Sequence, residues 1–329
     1  MSVAQQVVKE SKVSGQVTNT AEALGRLGLG VGVLQKTVDR LDLSDVIDLY
    51  KSIGRRNIEY FAWMHDIYSW ITLPSVSFDC RKVLSEDKTK LSIFNILVDD
   101  VADNFETRNY SRLERLAAIP WQRKAATDAE DEYVGVARKI WEDSISSVSS
   151  YPRFNELEKV FYFDLRQVLS SELYSYLSNT CGIENPVETS FHSSYGCQVE
   201  VAMDLDLMCS PAFDMAELGQ MRTIACLAQK VAHVANMLTT YPSEIAERDV
   251  SSPIISLALR KGLIRKDELG DKTILPKVSK LEWVFKSKAY SYIRKVAECE
   301  RQIRSVNIRG FSDYLIELLE KFEGSRTLR

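Results

Sequence analysis

The sequence lacks the features that mark secreted and membrane-spanning proteins. Its six cysteines include no C-x-x-C pair, and a chain of 329 residues does not need disulfides to stabilise its core. We therefore expect reduced thiols and a cytoplasmic location. No basic segment followed by an apolar core opens the chain, which argues against a secretory signal. The most apolar stretch, from Tyr60 to Leu73, is short and interrupted by His65 and Asp66, so no membrane span is expected.

An excess of positive charge is also missing. The chain has 42 lysines and arginines against 46 aspartates and glutamates, a formal net charge of −4. Such a balance creates no global basic field, so we expect no nucleic-acid partner. Basic residues do crowd the stretch from Arg260 to Arg309, which we interpret as solvated helix faces.

Alternating patterns typical of β-strands are nearly absent, and helical spacing takes their place. From about Asn57 onward, apolar residues recur every three or four positions, which predicts an all-α protein. Further helices are predicted around residues 88–104, 132–148, 155–179, 216–246, 253–263, 280–304 and 309–323. No repeat or linker divides the chain, so we predict a mobile leader over residues 1–20 and a single helical domain over residues 21–329.

Two carboxylates lie one helical turn apart near the end of the helix predicted around residues 88–104. Asp99 and Asp103 form a stripe beside the apolar face that contains Val98 and Val101. Two such carboxylates repel each other without a counter-ion, so the rim of a metal-binding cavity would suit them. A solvated acidic helix end is the alternative.

A second set of oxygen ligands follows 137 residues later. Asn236, Thr240 and Glu244 stand at two successive one-turn steps, and they offer an amide oxygen, a hydroxyl and a carboxylate. Mg²⁺ prefers oxygen ligands of these kinds. An ordinary amphipathic helix would show the same spacing, so the second set does not decide the matter alone. Pro242 predicts a local kink.

Together these two sets resemble the motifs of the class I terpene synthases of bacterial type. Asp99, Asp100 and Asp103 match the DDxxD motif, whereas Asn236, Thr240 and Glu244 match the motif Asn-x-x-x-Ser/Thr-x-x-x-Glu. The likeness covers roughly residues 55–322. It implies a single-domain helical bundle around a central apolar cavity, and ligands for three Mg²⁺ ions in the two motifs, with Asp100 in a supporting salt bridge.

The resemblance also implies a reaction. An acyclic isoprenyl diphosphate, farnesyl or geranylgeranyl, would lose its diphosphate, and the resulting carbocation would be cyclised. An apolar, aromatic pocket would shield the cation, and the candidates for its wall are Trp63, Phe94, Phe191 and Tyr195. The resemblance further allows a homodimer.

The chain departs from the family at its basic diphosphate contacts. The family usually places a sensor arginine shortly before an effector glycine; here Gly196 follows Tyr195, and His192 stands where the arginine is expected. The resemblance implies a catalytic role for Tyr195 and Gly196. A lysine before the motif glutamate and a C-terminal Arg-Tyr pair are absent too. We therefore predict His192, Arg248 and Lys321 as replacement contacts to the diphosphate.

Two other functions remain open. A prenyl-coupling synthase, chain-elongating or head-to-head, resembles this family in fold but carries two aspartate-rich motifs. A non-catalytic helical interaction protein would carry the same acidic stripes on its surface.

Overall fold

Helices form the architecture of the described chain. The structure is a computed structural model that describes residues 40–103, 105–122, 131–183 and 185–324. Within these residues no β-strand occurs, in agreement with the predicted all-α class. The described residues from Leu41 onward belong to one compact unit. The leader predicted for residues 1–20 and the predicted domain start at residue 21 lie outside the described residues.

The described α-helices are numbered in chain order. They are α1 (Leu43–Ile53), α2 (Glu59–Ile71), α3 (Phe78–Ala102), α4 (Tyr110–Ala118), α5 (Glu132–Val148), α6 (Phe154–Cys181), α7 (Pro186–His192), α8 (Val199–Met208), α9 (Leu218–Glu247), α10 (Pro253–Arg260), α11 (Leu275–Val278), α12 (Glu282–Glu300) and α13 (Phe311–Gly324). Short 3₁₀ turns join several of them, including Tyr195–Cys197 between α7 and α8. None of the described helices is both long and apolar enough to cross a membrane.

Helix α3 begins at Phe78, ten residues before its predicted start, and charged residues on its buried face hide this from the sequence pattern. Lys88 and Asp206 are each 3% exposed and form an ion pair of 2.5 Å. Lys90, also buried, pairs with Asp143 at 2.8 Å. The charges of these two lysines, which interrupt the helical spacing of apolar residues, are thus neutralised by aspartates that are distant in sequence. The unpredicted helix α8 also buries acidic residues, Asp206 among them.

Helices α3 and α9 bring the two motifs into the same bundle. Helix α3 packs against α2, α5 and α6, whereas α9 packs against α8, α12 and α13. Helix α9 continues through Pro242 to Glu247, and it ends where Arg248 adopts a left-handed backbone with φ of 58°. The last turns of both helices border a cavity between these groups of helices.

Candidate active site

A cavity of about 520 Å³ lies inside the bundle, and both motifs line it. The residues that reach it from the two motifs are Asp99, Asp100, Asp103, Asn236, Thr240 and Glu244. Glu172, Glu247 and Asp249 add further carboxylates to the cavity wall. Among the described residues, the lysines and arginines that line the cavity are limited to Arg55 and Arg56. One region of the cavity wall therefore carries an excess of negative charge.

The most concentrated negative charge is the acidic cluster of Asp99, Asp103 and Glu172. Their ligand oxygens lie within 4.8 Å of one another. Burial, and then the negative charge of Asp99, raises the pKa of both Asp103 and Glu172 well above their usual values. The Ser175 hydroxyl donates a hydrogen bond to Asp103. Carboxylates crowded in this way are stabilised by a proton or by a cation.

Arg56 neutralises part of this charge from the segment between α1 and α2. Its Nε donates to Asp100 at 2.7 Å, and its Nη2 donates to Asp99. The Tyr50 hydroxyl donates to the other Asp100 oxygen at 2.9 Å. Asp100 thus makes the salt bridge expected of it, although its partner was not among the predicted residues. The distance in sequence between Arg56 and the aspartates leaves no local signal of this contact.

Glu244 of the second motif has an oxygen without a partner. The Thr240 hydroxyl lies 3.0 Å from the Asn236 carbonyl oxygen and also contacts the Glu244 carboxylate. The other carboxylate oxygen, Oε2, is buried and accepts no hydrogen bond from the described residues. Burial, and then the charge of Asp249, raises the pKa of Glu244 to about 8. A cation at this oxygen would satisfy it.

Gly196 lies where the break between α7 and α8 meets the acidic cluster. The Asn95 amide Nδ2 donates to the Gly196 carbonyl and to Glu172, both at 3.3 Å. A Cβ atom at position 196 would lie 3.1 Å from Glu172 Oε1, so glycine permits this close approach. The turn and the carboxylates are therefore joined through one buried amide.

The three predicted basic contacts do not line the cavity. His192 stacks on Tyr174 with ring centroids 4.6 Å apart. Arg248 follows the last residue of α9, and its guanidinium lies beside Gly270. Lys321 Nζ lies 5.0 Å from the Trp70 ring centroid. The groups that they contact, Tyr174, Gly270 and Trp70, also lie outside the cavity lining.

Of the aromatic residues predicted for the cavity wall, Trp63 and Phe94 have different surroundings in the structure. Trp63 lines the cavity, and it contacts Phe322 edge-on at 4.8 Å. Phe94 is instead 1% exposed and packs on Trp141, because it lies on another face of α3.

Two further aromatic predictions also fall outside the cavity wall. Phe191 is 60% exposed, and Tyr195, its neighbour at a centroid distance of 6.0 Å, is half-buried away from the cavity. The aromatic residues that sequence reasoning missed are Tyr60, Tyr68 and Phe322. Their apolar spacing resembled that of an ordinary helical core.

His233 is a further cavity residue that the sequence did not single out. It lies on α9, three residues before Asn236, and lines the cavity wall. No hydrogen bond or ion pair joins its imidazole to another described residue. Burial lowers its pKa to about 4, so the ring is neutral at physiological pH.

Comparison with known proteins identifies the fold. No protein-family model and no curated protein matches the sequence. Among solved structures, a single-residue variant of cucumene synthase is 13% identical with a TM-score of 0.56, covering 87% of this chain and 96% of that one. Linalool/nerolidol synthase from Streptomyces clavuligerus, in complex with 2-fluorogeranyl diphosphate, has the same identity and TM-score, covering 87% and 98%. The chain has a class I terpene synthase-like fold.

A third solved structure resembles the chain over most of its length. Wild-type cucumene synthase is similar over 90% of this chain and 100% of its own length, with a TM-score of 0.51 and 12% identity. The similarity therefore extends over most of the chain. At these identities it establishes the fold, and any activity must be argued from the residues of this chain.

Proposed function

We propose that this protein is a Mg²⁺-dependent terpene cyclase that acts on an acyclic isoprenyl diphosphate. The observation that carries the proposal is the meeting of two oxygen-ligand sets, 137 residues apart in sequence, on one cavity. A non-catalytic interaction protein would carry such acidic stripes on its outer surface, whereas here they line an internal cavity. The second set consists of Asn236, Thr240 and Glu244 rather than of aspartates, which favours cyclisation over prenyl coupling.

The donor atoms suit Mg²⁺. Asp99, Asp103 and Glu172 present closely spaced oxygens, and Glu244 presents a buried oxygen with no hydrogen-bond partner among the described residues. Hard divalent cations prefer such oxygens. We assign Asp99 and Asp103 to one part of the metal centre, and Asn236, Thr240 and Glu244 to another; three ions are expected. Bound Mg²⁺ would supply Lewis-acid stabilisation of the departing diphosphate.

Arg56 provides a basic contact that the sequence motifs did not reveal. In the structure it neutralises Asp99 and Asp100. Once metal ions take over that neutralisation, the guanidinium can donate several hydrogen bonds to a phosphate group. Arg55, adjacent to it, adds a second positive charge at the cavity. We therefore assign to Arg56 the role first predicted for His192, Arg248 and Lys321.

The rest of the cavity suits a carbocation. The rings of Tyr60, Trp63 and Phe322 line it, and the face of an aromatic ring carries the partial negative charge that attracts a cation. Tyr60 and Trp63 stack at 5.5 Å, which fixes the orientation of both rings. The neutral ring of His233 adds no charge that would oppose the cation. This wall would also exclude water from the reactive intermediate.

Incubation with farnesyl and geranylgeranyl diphosphates plus Mg²⁺, followed by gas chromatography of the extract, tests the proposal. We expect cyclic hydrocarbon or alcohol products together with released diphosphate. Asp99→Asn should abolish turnover, whereas Asp48→Asn, a matched change on exposed α1, should not. An unchanged yield from Asp99→Asn would overturn the metal assignment.

The same experiment separates the two alternatives. Added isopentenyl diphosphate would be incorporated into a longer prenyl diphosphate by a chain-elongating enzyme, and two prenyl chains would be joined by a head-to-head enzyme. Both substrates recovered intact, with no diphosphate released, would contradict catalysis and favour the interaction protein.

A further inference from the structure

A second cavity of about 400 Å³ lies beside the first and has the opposite charge. His233, Met237 and Pro253 line both cavities, so they form a shared wall. Lys230 of α9, Arg260 of α10 and Lys288 of α12 line the second cavity, and none of its lining residues in the described chain is a carboxylate. Three helices thus each contribute a positive charge to the second cavity, although the net charge of the protein is negative.

None of these three cations has an acidic counter-ion among the described residues. Within the described chain, no ion pair within 4.0 Å joins Lys230, Arg260 or Lys288 to a carboxylate. Lys230 Nζ instead lies 5.7 Å from the Tyr292 ring centroid, and Lys288 Nζ lies 5.3 Å from that of Phe285. Lys286, on the same helix as Lys288, pairs with Glu323 at 2.5 Å. Three neighbouring positive charges repel one another unless an anion lies between them.

The remaining wall defines what kind of anion fits. Val234, Met237 and Leu257 make part of it apolar, and the hydroxyls of Ser190 and Ser194 add hydrogen-bonding groups. Lysine and arginine together with hydroxyls bind phosphate oxygens well. The absence of carboxylates among the described lining residues also sets this cavity apart from the first. A phosphate group could therefore bind here without a metal ion.

We propose that the second cavity binds a phosphate or diphosphate group, without metal, through Lys230, Arg260 and Lys288. Two sources share this chemistry: free inorganic diphosphate, and the head group of a prenyl diphosphate whose chain lies on the apolar wall. The site does not depend on the proposed reaction, because the metal ligands of the first cavity take no part in it.

Calorimetric titration of the full-length protein in EDTA tests the site. Inorganic diphosphate and the non-hydrolysable farnesyl thiolodiphosphate are the two probes. We expect binding, and we expect Lys230→Met with Lys288→Met to weaken it at least about tenfold at low ionic strength. Methionine retains an apolar stem of similar length, and both lysines are at least partly exposed, so the fold should survive. Lys286→Met is the matched control and should leave binding unchanged.

The outcomes separate the sources and the two proposals. Similar affinities for the two probes would identify the free anion, whereas an affinity for the thiolodiphosphate at least about tenfold higher would identify the prenyl ester. No binding in EDTA, or equal binding by the double variant and the wild type, would overturn the site. Turnover with Mg²⁺ is measured separately. If the protein proves not to catalyse the proposed reaction, the binding measured in EDTA still tests the second cavity.

Discussion

Replacing Arg56 by methionine should reveal whether this residue and Mg²⁺ compete for the same carboxylates. Methionine keeps much of the apolar stem but removes the guanidinium that bonds to Asp99 and Asp100. Without metal, the two aspartates would then lie beside Asp103 with no positive partner. We expect the metal-free protein to be less stable.

The magnitude follows from the exposure of the pair. Removing one partner of a fully buried ion pair costs about 3–5 kcal/mol. The Arg56 side chain is 35% exposed and that of Asp99 is 26% exposed, so solvent screens part of the interaction. We therefore expect a loss of about 1–3 kcal/mol in the free energy of unfolding. For a protein of this size, that loss lowers the melting temperature by about 1.5–4.5 °C.

Mg²⁺ should reverse part of the loss. A ligand at ten times its dissociation constant stabilises the folded state by about 1.4 kcal/mol. In the metal-free protein Arg56 forms an ion pair with Asp99, and Mg²⁺ must break this pair to bind the carboxylate. The variant lacks the pair and should therefore bind Mg²⁺ more tightly than the wild type. Its melting temperature should therefore rise more on addition of Mg²⁺, even though its turnover falls because the diphosphate loses a contact.

Differential scanning calorimetry with and without MgCl₂ measures both effects. Lys51→Met is the control, since the Lys51 side chain is 46% exposed and pairs with Asp48, and neither residue lines the cavity. We expect little change in its stability and no change in its response to Mg²⁺. If Arg56→Met lowered the melting temperature equally with and without Mg²⁺, competition for the carboxylates would be refuted.

Two further predictions concern buried charge. Lys88→Met should lower the free energy of unfolding by urea by about 3–5 kcal/mol, because Asp206 loses its buried partner. A double variant that also carries Asp206→Leu should recover most of the lost stability. No recovery in the double variant would contradict the explanation. The folded-state pKa of His233, about 4, lies below its unfolded value near 6.5, so the unfolded chain binds more protons between these pH values. Stability should fall by about 2 kcal/mol from pH 7.5 to 5, and His233→Gln should flatten that part of the urea-unfolding profile; an equal slope in the variant would exclude His233 as its source.

Local geometry explains which features could be predicted from the sequence. Helical spacing alone identified the all-α class, since the period of 3.6 residues is a property of the backbone. The same period placed Asp99 with Asp103 one turn apart. The predicted helix boundaries differ from the observed ones where charged residues replace apolar residues on a buried face, as at Lys88 and Lys90 of α3.

The basic contacts and the aromatic wall could not be predicted in this way. His192, Arg248 and Lys321 are predicted from their positions in the chain, and a position in the sequence does not show which groups a side chain contacts in the folded protein. The contact of Arg56 could not be predicted because Arg56 lies between α1 and α2, whereas its partner Asp99 lies 43 residues away on α3.

By itself, the sequence determined the helical fold and the two sets of oxygen ligands, because both depend on residues one turn apart. Only the tertiary structure decided that the sets share one cavity, that Glu172 joins Asp99 and Asp103, and that Arg56 neutralises them. These contacts join helices α3, α6 and α9 and the segment between α1 and α2. Their distances depend on how the helices pack, and no spacing along the chain encodes that packing directly.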